Sequence, residues 1–120
     1  MLVDTSVWID HVRRPERRLV ALLDANDVEV HPFVIGELAC GHLRPHDEIT
    51  ALLRALPWLP VVAHEEAFAL IEQRRLYGRG VGWVDIHLLA STLLAATPLW
   101  TRDRPMASIA RELSIELFDG

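Results

Sequence analysis

The chain has 120 residues, 51% of them hydrophobic, and its 17 acidic and 12 basic side chains leave a net charge of −5. That length suits a single domain spanning 1–120 that buries about two-thirds of its unfolded surface, and that hydrophobic share excludes disorder. Every basic residue is an arginine, so lysine chemistry is excluded, bidentate phosphate contacts are available, and the acidic balance argues against indiscriminate nucleic-acid binding.

In chain order, Leu2 and Val3 form a short apolar strand that Asp4 ends. Thr5 and Ser6 are good N-caps for a helix starting near Val7 and stopped by Pro15. A second helix begins at Pro15 or Glu16, turns Leu19, Val20, Leu22 and Leu23 inward, and ends at Asn26 or Asp27. Residues 28–31 alternate as a second strand does. Pro32 opens a helix through Val34, Ile35 and Leu38 to a Gly41 cap, and Pro45 opens another that Pro57 closes. Residues 59–63 read as a third strand and 64–77 as a long amphipathic helix. Gly78, Gly80 and Gly82 form a flexible loop. A strongly apolar helix follows from Trp83 to about Ala96, as expected of a central, covered element. Residues 98–101 make a fourth strand, 105–113 a helix and 115–118 a last strand.

Strands separated by helices throughout imply an α/β fold, a three-layer α/β/α sandwich around a parallel sheet of about five strands. The single Cys40 excludes an internal disulfide and, with six histidines, makes no zinc framework; a reducing cytoplasm is the expected compartment. No charged leader precedes the first strand, so no signal peptide is expected. The longest uncharged run, 86–100, contains His87 and Pro98 and is too short to span a bilayer.

Four acids fall at or near one sheet edge in this reading. Asp4 ends the first strand and Glu37 lies on the helix after the second. Asp85 sits in the first turn of the central helix, where the helix dipole favours negative charge. Asp103 follows the fourth strand. In open α/β sheets the carboxyl edge is where ligands bind. Converging carboxylates raise one another's pKa, and a divalent cation relieves that repulsion. Mg2+ and Mn2+ take oxygen ligands, keep several waters, activate one of them and steady phosphoryl oxygens. These residue types point to metal-assisted phosphodiester hydrolysis.

The ordered set Leu2-Val-Asp-Thr-Ser6, Glu37, Gly80-Val-Gly-Trp-Val-Asp85 and Thr101-Arg-Asp103 resembles the PIN-domain ribonucleases, and within them the VapC-type toxins of bacterial toxin–antitoxin pairs. The resemblance spans nearly the whole chain. It implies a five-stranded parallel sheet, a Mg2+- or Mn2+-dependent endoribonuclease, a homodimer, and a cognate antitoxin that occupies the acidic groove. Carried over residue by residue, Asp4, Glu37 and Asp85 match the central acids and Asp103 the fourth. Thr5, Ser6 and Thr101 are the supporting hydroxyls. Arg104-Pro105 departs from the apolar residue that often follows the fourth acid, which leaves the number of metals open.

Each acid also has a plainer reading. Asp4, Thr5 and Ser6 can simply cap a helix, Asp85 can be an ordinary first-turn acid, and Asp103 before Arg104-Pro105 is a common turn composition. Glu37, among apolar neighbours, should emerge from a mostly buried surface and could be paired with an arginine. Trp8 and Trp83 are read as packing residues, with base stacking the alternative. Asp10 is read as solvated. Arg13, Arg14, Arg17 and Arg18 are a solvated face or a contact for phosphates or an acidic partner. A receiver-like signalling module is the other functional class. It calls for an acceptor Asp after the third strand and a nearby lysine, and this chain has neither. A degenerate member that only binds RNA or protein is a third.

Overall fold

A computed structural model describes residues 1–119. Strand β1 (Leu2–Val3) leads into helix α1 (Thr5–Arg13), followed by α2 (Arg17–Asp24), α3 (Pro32–Ala39), α4 (His46–Ala55), α5 (His64–Arg74) and α6 (Trp83–Ala95). Strand β2 (Leu99–Trp100) and helix α7 (Arg104–Glu112) complete the order.

The two regular strands lie side by side and parallel, with Leu2 opposite Leu99 and Val3 opposite Trp100. Three more extended segments join them through one parallel bridge each, Leu2 with Glu29, Val30 with Trp58, and Leu99 with Leu117. Segments earlier in the chain extend outward from β1, and the segment after α7 extends outward from β2. The direction of winding therefore reverses between β1 and β2, the arrangement that opens a crevice beyond the carboxyl ends of the strands. Both strands are short because their continuations are claimed by the acids and hydroxyls described below.

The helix expectations hold in outline and shift at their ends. Helix α1 starts at Thr5, not Val7, and Asp4 occupies its N-cap position without making a side-chain cap bond. Helix α5 stops at Arg74, short of the expected Tyr77, because Arg75 turns left-handed at φ 54° and the amide of Leu76 bonds back to Ile71 O at 3.0 Å. A third strand over 59–63 is not formed. Its bridge falls at Trp58, because Pro60 offers no amide to extend the ladder. The expected second and last strands are likewise reduced to single bridges at Glu29, Val30 and Leu117.

Leu2, Val3 and Leu99 are fully buried, with Val7 and Trp8 of α1, Leu88 and Leu89 of α6, and Met106 and Ile109 of α7 around them. Burying each leucine contributes about 1.5–3 kcal/mol. Helix α6 is covered from Ile86 through Thr92, as its apolar composition requires. Trp8 is 1% exposed, which removes it from any base-stacking role.

A buried polar chain ties α3 to α6. The ring of His31 caps α3, its Nδ1 accepting from Phe33 N–H at 3.0 Å. Its Nε2 must therefore carry the proton and donate to Ser91 Oγ at 3.1 Å, and Ser91 donates to Pro60 O at 2.7 Å. The chain is satisfied only by neutral imidazole. Burial, with His87 second, pulls the His31 pKa down to about 4. The sequence assigned residue 31 to a strand end and gave no hint of this cap.

Candidate active site

Asp4 and Thr101 follow directly on β1 and β2, so the parallel pairing sets them at the same edge. The Asp4 amide bonds Trp100 O at 2.9 Å, and Thr101 Oγ1 donates to Asp4 Oδ2 at 2.8 Å. Ser6 Oγ donates to the same oxygen at 2.7 Å, and Thr5 Oγ1 reaches Asp4 Oδ1 at 3.4 Å. Thr5 and Ser6 were expected as caps from local composition and as supporting hydroxyls from the family resemblance. They turn back onto the acid, because a buried carboxylate (3% exposed) needs donors more than the first turn of a helix does. Oxygen Oδ1 keeps the freer lone pairs.

Asp85 stands in the first turn of α6 and accepts from Gly82 N–H through Oδ2 at 3.1 Å. Asp103 caps α7, accepting from Met106 N–H through Oδ1 at 3.1 Å. The plainer capping readings are thus true of one oxygen of each acid, and the other oxygen makes no bond to protein. Glu37 differs from expectation. Val34, Ile35 and Leu38 around it are buried, but Glu37 itself is exposed.

The acids sense one another. Partial burial, then the charges of Asp85 and Asp4, raise the Glu37 pKa. Burial likewise raises that of Asp85, with Asp4 and Asp103 adding to it, against the opposing bond from Gly82. None of the four acids is paired with an arginine among the described residues, so the arginine alternative for Glu37 is removed. Among those residues, too, no three acidic, thiol or imidazole side chains form a ready-made set of cation ligands. Asp85 and Asp103 each keep one oxygen without a protein partner among the described residues, and Asp4 Oδ1 has only the 3.4 Å contact from Thr5; carboxylate oxygens of this kind suit a hard cation. Mg2+ in particular uses one or two carboxylates and keeps several waters.

One feature escaped the sequence reading. Arg102, between Thr101 and Asp103, bonds Asp10 at 2.6 Å and Glu16 at 2.5 Å and lies 5.6 Å from the Trp100 ring centre. Its amide donates to Ser6 Oγ at 3.0 Å. The turn bearing Asp103 is thereby stapled to α1 and to the start of α2. The only available signal was alternation, since in an extended turn the residue between two inward side chains faces outward. Asp10 is accordingly an ion-pair partner and not merely solvated. Gly80 sits at φ 84°, and a Cβ there would meet Pro105 Cγ at 3.3 Å. Arg79 pairs with Glu112 at 2.8 Å, so the glycine loop passes closely beside the Asp103 turn.

An apolar groove of about 660 Å3 opens beside Glu37, lined in part by Thr5, Ile9, Phe33, Cys40 and Trp83. Trp83 is 38% exposed, with its ring 4.8 Å from that of Phe68.

A parallel strand pair followed at its carboxyl ends by Asp4 and Asp103, among helices, defines a small α/β domain with an acidic edge. Residues 1–112 match the PIN domain, and the chain belongs to the PIN-domain family. It is similar to Ribonuclease VapC32 of Mycobacterium tuberculosis, from strain CDC 1551 / Oshkosh and from strain ATCC 25618 / H37Rv. Identity to each is 45% over 118 residues, covering 98% of this chain and 95% of the relative. In three dimensions it resembles the crystal structure of FitAcB from Neisseria gonorrhoeae, with a TM-score of 0.62 and 20% identity over 98% of this chain and 96% of that one. This second likeness concerns the fold.

Proposed function

We propose that this chain is a metal-dependent endoribonuclease, the toxin of a bacterial toxin–antitoxin pair. The observation that carries the reading is that Asp4 and Asp103, just past β1 and β2, share their surroundings with Asp85 and Glu37 closely enough for their charges to raise those pKa values, with no arginine pairing among the described residues, in a chain 45% identical over nearly its full length to a ribonuclease. Asp4, Asp85 and Asp103 would hold Mg2+ or Mn2+ through their free oxygens, with Glu37 at the open side. Ser6 and Thr101 fix the Asp4 carboxylate, and Thr5 supports it more weakly. When bound, such a cation supplies a water of lowered pKa and neutralises charge on the phosphoryl oxygens. Glu37, exposed and with a raised pKa, can exchange protons with water at its carboxyl oxygens. Arg102 keeps Thr101 and Asp103 at a fixed distance from Asp4.

RNA is the substrate and an antitoxin protein the regulator in this reading. The three bridged segments read as short outer strands of a five-stranded sheet between two helical layers, and residues 1–120 read as one domain. Half-exposed Phe68 and Trp83 suit a homodimer contact. No helix among the described residues is long and apolar enough to cross a membrane, and a cytoplasmic site fits the single exposed thiol of Cys40. The receiver-like alternative gains nothing, because the segment after Trp58 carries no acceptor acid before His64.

The test is RNA cleavage by the purified chain with millimolar Mn2+ or Mg2+ and again after chelation. Cleavage with metal and its loss on chelation are expected. Equal cleavage in both would remove the metal from the reading, and no cleavage in either would remove the nuclease.

A further inference from the structure

We infer that Arg13 and Arg14 form a phosphate-binding subsite for the RNA strand, beside the acids and on the far side of Arg102. The inference rests on the ribonuclease reading and adds to it where the strand runs. A polar cavity of about 440 Å3 is lined by Asp10, Arg13, Arg14, Pro15, Glu16 and Arg102. Its two carboxylates are both spent on Arg102, the guanidinium of which spans Asp10 and Glu16. Arg13 and Arg14 are exposed and make no ion pair among the described residues. The cavity thus holds three guanidiniums and two carboxylates, with its unspent positive charge on Arg13 and Arg14.

The position of that charge matters as much as its sign. Arg13 also lines a second cavity of about 330 Å3 that contains Glu37 and Ile9, and Glu37 and Ile9 line the large groove beside Trp83. The three hollows therefore adjoin one another around α1, leading from Glu37 to the arginines. The acids repel RNA phosphates, in a chain of net charge −5. An adjoining pair of free guanidiniums supplies the attraction they lack, in the planar fork geometry that suits phosphate oxygens. An acidic protein segment would meet the same charge. RNA is favoured because the hollows run on from Glu37, one of the acids of the proposed cleavage site, so a strand cut there would lie along them.

The experiment measures binding of a random-sequence single-stranded RNA pool across a salt series, with Asp4→Asn as background so that no strand is cut. Adding Arg13→Gln and Arg14→Gln should weaken binding by at least about tenfold. It should also flatten the plot of log affinity against log salt by roughly 1.4, about 0.7 per lost phosphate contact. Arg54→Gln, on the remote end of α4, should change neither. An unaltered slope overturns the inference, and so does an unaltered slope accompanied by lost binding of a polyglutamate peptide, which would assign the face to an acidic protein. Cleavage of the same pool by the unsubstituted chain with Mn2+ separates the two readings. Intact cleavage with an unaltered slope overturns the subsite alone, whereas absent cleavage and absent binding overturn both.

Discussion

Asp4→Asn is expected to lower RNA cleavage by more than about 100-fold while the chain still folds. Removing a partner that merely orients a metal ligand costs roughly 10–100-fold, and Asp4 is read as a ligand itself, so its loss should exceed that range. Asparagine keeps one carbonyl oxygen in place, able to accept from Ser6 and Thr101 as Asp4 Oδ2 does. What it loses is charge and the second acceptor oxygen. Asp4→Ala is a poorer test, because it strands two hydroxyl donors in a buried site at a cost of about 1–3 kcal/mol each. Initial cleavage rates, with circular dichroism melts of both proteins, provide the check. A variant that folds and cleaves within about threefold of the parent rate, well inside the orienting range, would show that Asp4 is only a helix-start acid.

Metal binding should raise the melting temperature at neutral pH, and the gain should shrink as the pH falls. In the unfolded chain Glu37 and Asp85 titrate at their ordinary 4.5 and 3.8, and in the folded chain both titrate higher. As pH rises through that interval the unfolded chain releases its protons first, so the metal-free fold loses stability and has lost all of this contribution above the folded values. A cation that binds only the folded form reverses the loss, by about 2.7 kcal/mol at a hundred times its dissociation constant, or several degrees at this chain length. His31 tilts the metal-free baseline the other way. Its folded pKa of about 4 lies below its ordinary 6.5, so stability is lost as pH falls through that range. His31 contacts none of the acids, and the difference between melts with and without Mn2+ cancels its contribution. A pH series of paired melts is the measurement. A gain that does not vary with pH, or no gain at all, would show that the acids do not share a cation.

The parts of this site that were legible in the sequence rest on local signals. Asp4 follows an apolar pair, Asp85 opens an apolar helix and Asp103 precedes Pro105, so each could be placed at an element boundary without knowing the fold. The placing of Asp4 and Asp103 at one edge followed from one assumption, a parallel sheet with reversed winding, which the pairing of β1 with β2 supplies. Features that depend on distant partners were not legible. Thr101, named as a supporting hydroxyl only through the family resemblance, reaches Asp4 from 97 residues away. Glu37 follows exposed Gly36 and precedes buried Leu38, because a helix face changes within one residue. His31 was assigned to a strand end, since nothing local marks an imidazole that caps one helix and reaches Ser91 on another. Arg102 was passed over for the acids flanking it, although it anchors their turn. The third strand was overdrawn for a simpler reason, since an apolar run marks an extended segment but not whether a proline such as Pro60 leaves it enough amides to pair.

Anomalous diffraction from crystals of the chain grown with Mn2+ tests most directly whether these side chains share one ion. The expected result is a manganese peak in contact with an oxygen of Asp4 and at least one oxygen of Asp85 or Asp103, reduced or absent in Asp4→Asn crystals. A peak held by other residues, or crystals that take up manganese nowhere near Asp4, would contradict it.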